Sequence, residues 1–268
     1  MTPDPIFLST AIEAALAAGR IHKQYFRQNP HVEKKGRIDL VTAADLAVEQ
    51  MFRDLIGRRF PTHGVLGEEG ASGTQPSGAR FRWIIDPVDG TTNFAHGLAL
   101  FCVSIALEID GHIVLGVVYD PIADELFTAE RGSGARLNGL PIRVTSAETM
   151  VDALLCTGFP YSIREERRRQ VDVFAAFLGE VQAVRRLGSA ALDLCYVAAG
   201  RFDGFWEERI HPWDIAAGAI IIEEAGGTVT GMGGEPFDPF AGHIAASNGP
   251  LHAPILSVIH GARQSALN

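Results

Sequence analysis

Trp83-Ile84-Ile85-Asp86-Pro87-Val88-Asp89-Gly90-Thr91-Thr92-Asn93 carries the densest structural and chemical signal in the chain. An apolar, β-prone run ends in an acid, a proline follows, and a second acid stands three positions after the first. The run predicts a buried strand that stops at Asp86 and delivers its carboxylate to a sheet edge, where α/β-type sheets place their ligands. Pro87 cannot donate a hydrogen bond and presets φ, so a turn is expected at once. That turn would set Asp89 beside Asp86. Two unpaired carboxylates so close are costly unless a proton or a metal ion separates them. Hard oxygen ligands favour Mg²⁺, Mn²⁺ or Ca²⁺ over zinc. Gly90-Thr91-Thr92 then offers backbone N–H groups and hydroxyls, the usual material for holding a phosphate.

Outward from this motif, residues 5–28 read as an amphipathic helix with Ile6, Leu8, Ile12, Leu16 and Ile21 near one face. Lys34-Lys35-Gly36-Arg37 is a basic turn, either solvated or facing the phosphate. Asp39-Leu40-Val41-Thr42-Ala43-Ala44-Asp45 opens a second helix with apolar Leu46, Met51, Leu55 and Ile56. Asp45 there either completes a cap with Thr42 or stands beside a metal cluster. Val65-Leu66-Gly67-Glu68-Glu69-Gly70 is a short strand entering an acidic turn, and residues 71–80 form a surface loop. Alternation over Phe101–Ile109, the Asp110-Gly111 turn, Ile113–Tyr119 and Glu125–Ala129 predicts antiparallel strands. The first part, residues 1–150, is therefore α+β.

From residue 151 to 268 strands and helices alternate, which predicts a second, α/β domain. Strands are expected at 154–157, 181–186 and 202–207, and a helix at 163–178 whose charged start, Arg164 to Arg169, makes pairs on a solvated face or guides an anion. Gly188-Ser189-Ala190-Ala191 begins another helix, a plausible ligand edge. His211-Pro212-Trp213-Asp214 opens a last one, with Pro212 in its first turn and Asp214 where acids complement the helix dipole.

Composition bounds the function. At 268 residues, 47% hydrophobic and 21% charged, the chain can bury a full core. A net charge of -9 argues against a nucleic-acid surface and means that an anionic substrate needs cations to bind. Cys102, Cys156 and Cys195 are far apart with no CxxC, as expected of reduced thiols in a cytoplasmic protein. Asp4 and Glu13 are wrong for a signal peptide, and no apolar run approaches ~18 residues, so no membrane partner is expected. His63, His96, His211 and His243 show no HxH or HxxxH spacing, against zinc.

Gly67-Glu68-Glu69, Asp86-Pro87-Val88-Asp89-Gly90-Thr91-Thr92-Asn93-Phe94 and Trp213-Asp214-Ile215-Ala216-Ala217-Gly218, together with the upstream Asp39–Asp45 motif and Glu223-Glu224-Ala225-Gly226-Gly227, resemble the inositol monophosphatase family of metal-dependent sugar phosphatases. The resemblance covers nearly the whole chain. It implies a layered αβαβα sandwich, a homodimer, inhibition by Li⁺ and two to three Mg²⁺ ions. One ion would be held by Glu68, Asp86 and the Val88 carbonyl, a second by Asp86, Asp89 and Asp214, and a looser third near Glu68. Glu68 and Thr91, with Asp45 behind the threonine, would position the attacking water. Backbone N–H groups of Gly90 and Thr91 would hold the phosphate, and Asp89, Ser189, Ala190 and Glu207 the alcohol. Trp206 would shape the alcohol pocket, and Glu208-Arg209 is where substrate preference would vary.

The expected substrate is a small phosphorylated polyol, inositol 1-phosphate first, with fructose 1,6-bisphosphate and histidinol phosphate as alternatives. A haloacid-dehalogenase-type reading fails because Val88, not an acid, follows Asp86 by two positions. A calcium loop fails because residues 86–97 lack acids at alternate positions. A phosphatase-like protein that works by binding a macromolecular partner is the remaining alternative.

Overall fold

A computed structural model of the chain describes residues 4–27, 32–34, 40–70, 80–160, 163 and 167–265. Most of the basic turn, the 71–79 stretch and the charged start at 164–166 lie outside them. The chain opens with helix α1 (Pro5–Tyr25), a two-stranded antiparallel ribbon of β1 (Val32–Lys34) and β2 (Leu40–Thr42), and helix α2 (Ala43–Arg59). A seven-stranded sheet follows: β3 (Gly64–Gly67), β4 (Phe81–Asp89), β5 (Cys102–Ile109), β6 (His112–Asp120), β7 (Glu125–Glu130), β8 (Ala135–Leu137) and β9 (Leu140–Pro141). Its spatial order is its sequence order, and every neighbouring pair is antiparallel except β3 with β4. The short helix α3 (Thr91–Ala95) leaves the end of β4.

The second sheet gathers β10 (Leu154–Thr157), helix α4 (Arg167–Leu178), β11 (Ala183–Arg185), helix α5 (Ala190–Ala198), β12 (Gly204–Glu208), helix α6 (Pro212–Glu224), β13 (Thr228–Thr230), β14 (His243–Ser247) and helix α7 (His252–Ser265). Strand order is β11-β10-β12-β14-β13, parallel over the first three and antiparallel at β14 and β13. Helices α1 and α2 cover the outer face of the seven-stranded sheet, α5 and α6 lie between the sheets, and α4 and α7 close the far side. The result is the αβαβα sandwich that the family resemblance implies.

The middle layer explains itself from sequence. Helix α6 buries an unbroken run from Ile215 to Ile222, and a helix apolar on all sides belongs inside. It approaches the sheet at Gly116 of β6, where a Cβ would stand 2.6 Å from the Ala217 carbonyl oxygen and 2.7 Å from the Ile220 side chain. The Asp110-Gly111 hairpin forms as expected, with φ 51 and 82, the left-handed pair such a turn requires.

Other expectations are corrected. Helix α1 buries Ala11, Ala14, Ala15, Ala18, Gly19 and His22, and leaves Ile6 and Leu16 exposed. Its small residues win the inner face because the helix lies close against α2 and β6, with Gly19 against the Tyr119 ring. On α2, Val48, Phe52 and Ile56 face the core while Leu46 is exposed. Strand β4 does not stop at Asp86. It continues to Asp89 through a β-bulge, with Asp86 opposite Ser104 and Asp89 opposite Cys102.

Gly116→Ala is expected to lower stability by about 1–3 kcal/mol, since the methyl meets backbone that cannot swing aside. Thermal denaturation checks it, and an unchanged Tm would contradict this close approach.

Candidate active site

The bulge on β4 creates the site. One extra residue between Asp86 and Asp89 lets carboxylates three positions apart converge, with oxygens within 4.8 Å, a device that recurs beside functional sites. Asp86 accepts the Val88 N–H at 2.9 Å, which tightens the kink. Gly90 follows with φ 95, a conformation that glycine adopts freely, and starts α3. The Thr91 hydroxyl lies 2.9 Å from the Val88 carbonyl oxygen and 3.5 Å from Asp45 Oδ1.

Two helix starts bring further acids. At α2, Asp45 accepts the Thr42 N–H at 2.8 Å and the Thr42 hydroxyl at 2.5 Å. Capping and proximity to Thr91 are thus both true of Asp45, whose burial pushes its pKa up to about 7. At α6, Pro212 occupies the first turn and Asp214 accepts the His211 N–H at 2.8 Å. Asp214 also lies close to Asp86, and the interaction between the two carboxyls favours a proton on Asp86.

Asp86, Asp89 and Asp214 each offer an oxygen, all within 4.8 Å of one another, and Asp45, Glu68 and Glu69 form a second such group. The first matches the ligand set expected for one ion. Glu68 falls in the second group by proximity, yet still lies near enough to Asp86 and Asp214 to raise the pKa of both. Burial and mutual repulsion hold the Asp86 and Asp214 carboxyls well above the usual range, and burial takes Asp89 to about 6. An all-carboxylate donor set with such excess negative charge fits a hard divalent cation.

A cavity of about 410 Å³ is lined by every residue of the predicted set except Asp45, which stands behind Thr91. Ser189 caps α5, and the start of this helix is tied to the acids. Asp89 accepts the Ser189 hydroxyl at 2.5 Å, the Ala191 N–H at 2.8 Å and the Ala190 N–H at 3.3 Å. Glu207, at the end of β12, is buried against Gly158, where a Cβ would collide with the carboxyl group, and burial first, then the charge of Asp214, raises its pKa to about 8.

Trp206 points the other way. Neighbours on a strand face opposite sides, so it stacks on Phe177, with ring centroids 4.0 Å apart, in the core beneath α4 and α7. Glu208 is taken by Arg169 and Arg263, while Arg209 lines the cavity. The sequence assigns no site role to Asp193, Glu49 or Trp213. Asp193 lines the cavity with both carboxyl oxygens buried and unpartnered. Its only signal is its place one turn after Ser189. Glu49 accepts the Glu69 N–H at 2.8 Å and pairs with Arg53, holding the acidic turn from behind. Trp213 lines the cavity and stacks on His211 at 4.7 Å.

Two sheets in a five-layer sandwich, with acids from β4, the turn after β3 and the start of α6 gathered in one cavity, define an enzyme of the metal-dependent phosphomonoesterase type. Comparison with known proteins agrees. The model of the inositol monophosphatase family matches residues 6–264. An inositol-1-monophosphatase of Rhizobium meliloti is 44% identical over 256 residues, 94% of this chain and 95% of the relative. The solved inositol monophosphatase from Anabaena (Nostoc) sp. PCC 7120 has a TM-score of 0.87 at 44% identity, covering 96% of each chain. The Nus factor SuhB of Escherichia coli K12 is 41% identical over 243 residues, 90% of this chain and 91% of the relative. This chain belongs to the inositol monophosphatase family, and it is a phosphoric monoester hydrolase. Among the described residues no helix is long and apolar enough to cross a membrane.

The raised carboxyl pKa values have a consequence for stability. Asp45, Asp89 and Glu207 hold protons up to about 7, 6 and 8 in the folded protein, against roughly 4 in an unfolded chain. Folding therefore takes up protons within that window, and stability falls as pH rises through it. The Tm of chelator-treated protein is expected to drop between pH 5 and 8, less steeply in Asp86→Asn, and to recover with Mg²⁺. A Tm that climbs over this range would contradict the electrostatics.

Proposed function

We propose that the chain hydrolyses a small phosphorylated polyol, with inositol 1-phosphate the preferred substrate and Mg²⁺ the cofactor. One observation carries this reading: Asp86, Asp89 and Asp214 converge within 4.8 Å on a cavity that Glu207 also lines. Carboxylates so crowded repel an anionic phosphate unless divalent cations stand between them and it. Glu68, Asp86 and the Val88 carbonyl would hold one ion, Asp86, Asp89 and Asp214 another, and Glu68 a looser third. When bound, such ions acidify water and neutralise a leaving alkoxide.

The chain supplies the rest. Thr91 and Glu68 orient the attacking water, and Asp45, with a pKa near 7, stands behind the threonine able to take up a proton. Backbone N–H groups of Gly90 and Thr91 hold phosphate oxygens. Glu207 reads adjacent hydroxyls, with Asp89, Ser189 and Ala190 beside it. The relative from Rhizobium meliloti named inositol-1-monophosphatase supports the choice of substrate. Buried, unpaired Cys102, Cys156 and Cys195 support a reducing cytoplasm, and a homodimer is the proposed assembly. A second reading, action through a macromolecular partner, is favoured by the relatives named Nus factor SuhB.

The test is phosphate release with Mg²⁺ from inositol 1-phosphate, fructose 1,6-bisphosphate, histidinol phosphate, glycerol 2-phosphate and adenosine bisphosphates. Inositol 1-phosphate is expected to give the highest kcat/KM and millimolar Li⁺ to inhibit. Hydrolysis of nothing on the panel would favour the partner-binding reading. Asp89→Asn should lower kcat on the order of 10²–10³-fold, as several kcal/mol of lost transition-state stabilisation converts. Full turnover in a folded Asp89→Asn protein would refute the assignment.

A further inference from the structure

We propose that His22 is a positioning residue for divalent-ion binding: from α1 it donates its Nε2–H to the Pro87 carbonyl and so fixes the bulge that presents Asp86, Val88 and Asp89. The inference rests on that bulge being the ion-holding segment.

The bulge takes Pro87 and Val88 out of the ladder with β5. Val88 is then secured from within the segment, its N–H on Asp86 and its carbonyl oxygen on the Thr91 hydroxyl. Pro87 is buried and has no N–H, and its carbonyl needs a donor. The donor comes from 65 residues earlier in the chain, His22 Nε2 at 2.8 Å. A carbonyl only accepts, so the proton sits on Nε2 and the bare nitrogen is Nδ1, which has no partner. The ring is fully buried, edge-on to Phe94 and Phe101 at 6.1 and 5.7 Å, and burial lowers its pKa to about 4, which keeps it neutral.

A basic residue in the last turn of a helix ordinarily serves the helix dipole. A neutral imidazole aimed at another element does not. An imidazole with one orphaned nitrogen is a poor filler for an apolar pocket, where leucine would cost less. Its use here is the single N–H that reaches Pro87. Groups that orient ion-holding residues from behind typically change ion affinity or activity 10–100-fold when removed.

His22→Gln and His22→Met are nearly isosteric and differ in the donor. Mn²⁺ binding to the full chain is measured by calorimetry, beside the Tm and the dependence of kcat and KM on Mg²⁺. His22→Gln is expected to bind Mn²⁺ within about twofold of the parent. His22→Met should bind about tenfold more weakly, melt cooperatively and need more Mg²⁺ for half-maximal rate. If His22→Met does not fold, His22→Phe, which keeps a ring and lacks the donor, takes its place. Equal Mn²⁺ affinity in the donor-bearing and donor-free variants would overturn the role of His22 alone. A parent chain that binds no Mn²⁺ would overturn the reading of the site itself.

Discussion

Three carboxylates whose oxygens lie within 4.8 Å repel one another strongly when they are taken out of bulk water, and the structure exists to hold them there. None of the three is neutralised by lysine or arginine among the described residues. They are secured by neutral donors: the Val88 N–H on Asp86, the start of α5 on Asp89, and the His211 N–H on Asp214. Such bonds fix direction without cancelling charge. What they leave is a preset deficit of positive charge, met by protons in the bare protein and suited to a divalent ion.

The same cavity is chemically divided. On the β4 side carboxylates crowd in mutual range. On the β12 side Glu207 and Asp193 are each pushed upward chiefly by burial, and Glu207, at about 8, is protonated at neutral pH. A carboxyl group that is both donor and acceptor suits an alcohol better than an ion. The layered fold explains how both sides meet. Strand β4 belongs to one sheet and β12 to the other, while α5 and α6, the layer between, begin at the cavity.

Much of this was legible in the sequence where chemistry and local geometry coincide. Asp86-Pro87-Val88-Asp89 announces an acid pair at a kink, Thr42 with Asp45 a cap, and His211-Pro212-Trp213-Asp214 a helix start. The kink itself differs from what sequence suggests, because a bulge lets the strand continue past proline to Asp89. Long-range contacts left no local trace. His22 reads as one more polar residue on α1, and Glu49 as half of an i,i+4 pair with Arg53. The buried face of α1 was hidden for another reason: bulky residues dominate a periodicity count, but the closest contact belongs to alanine and glycine. Strand β14 and helix α7 carry no strong signal because their partners are distant in sequence.

The most direct measurement is anomalous diffraction from crystals of this protein soaked in Mn²⁺. The expected result is a peak coordinated jointly by Asp86, Asp89 and Asp214, with the bulge unmoved. Mn²⁺ peaks confined to surface acids, with these three carboxylates bonded only to one another, would contradict the claim that their convergence serves to hold a cation.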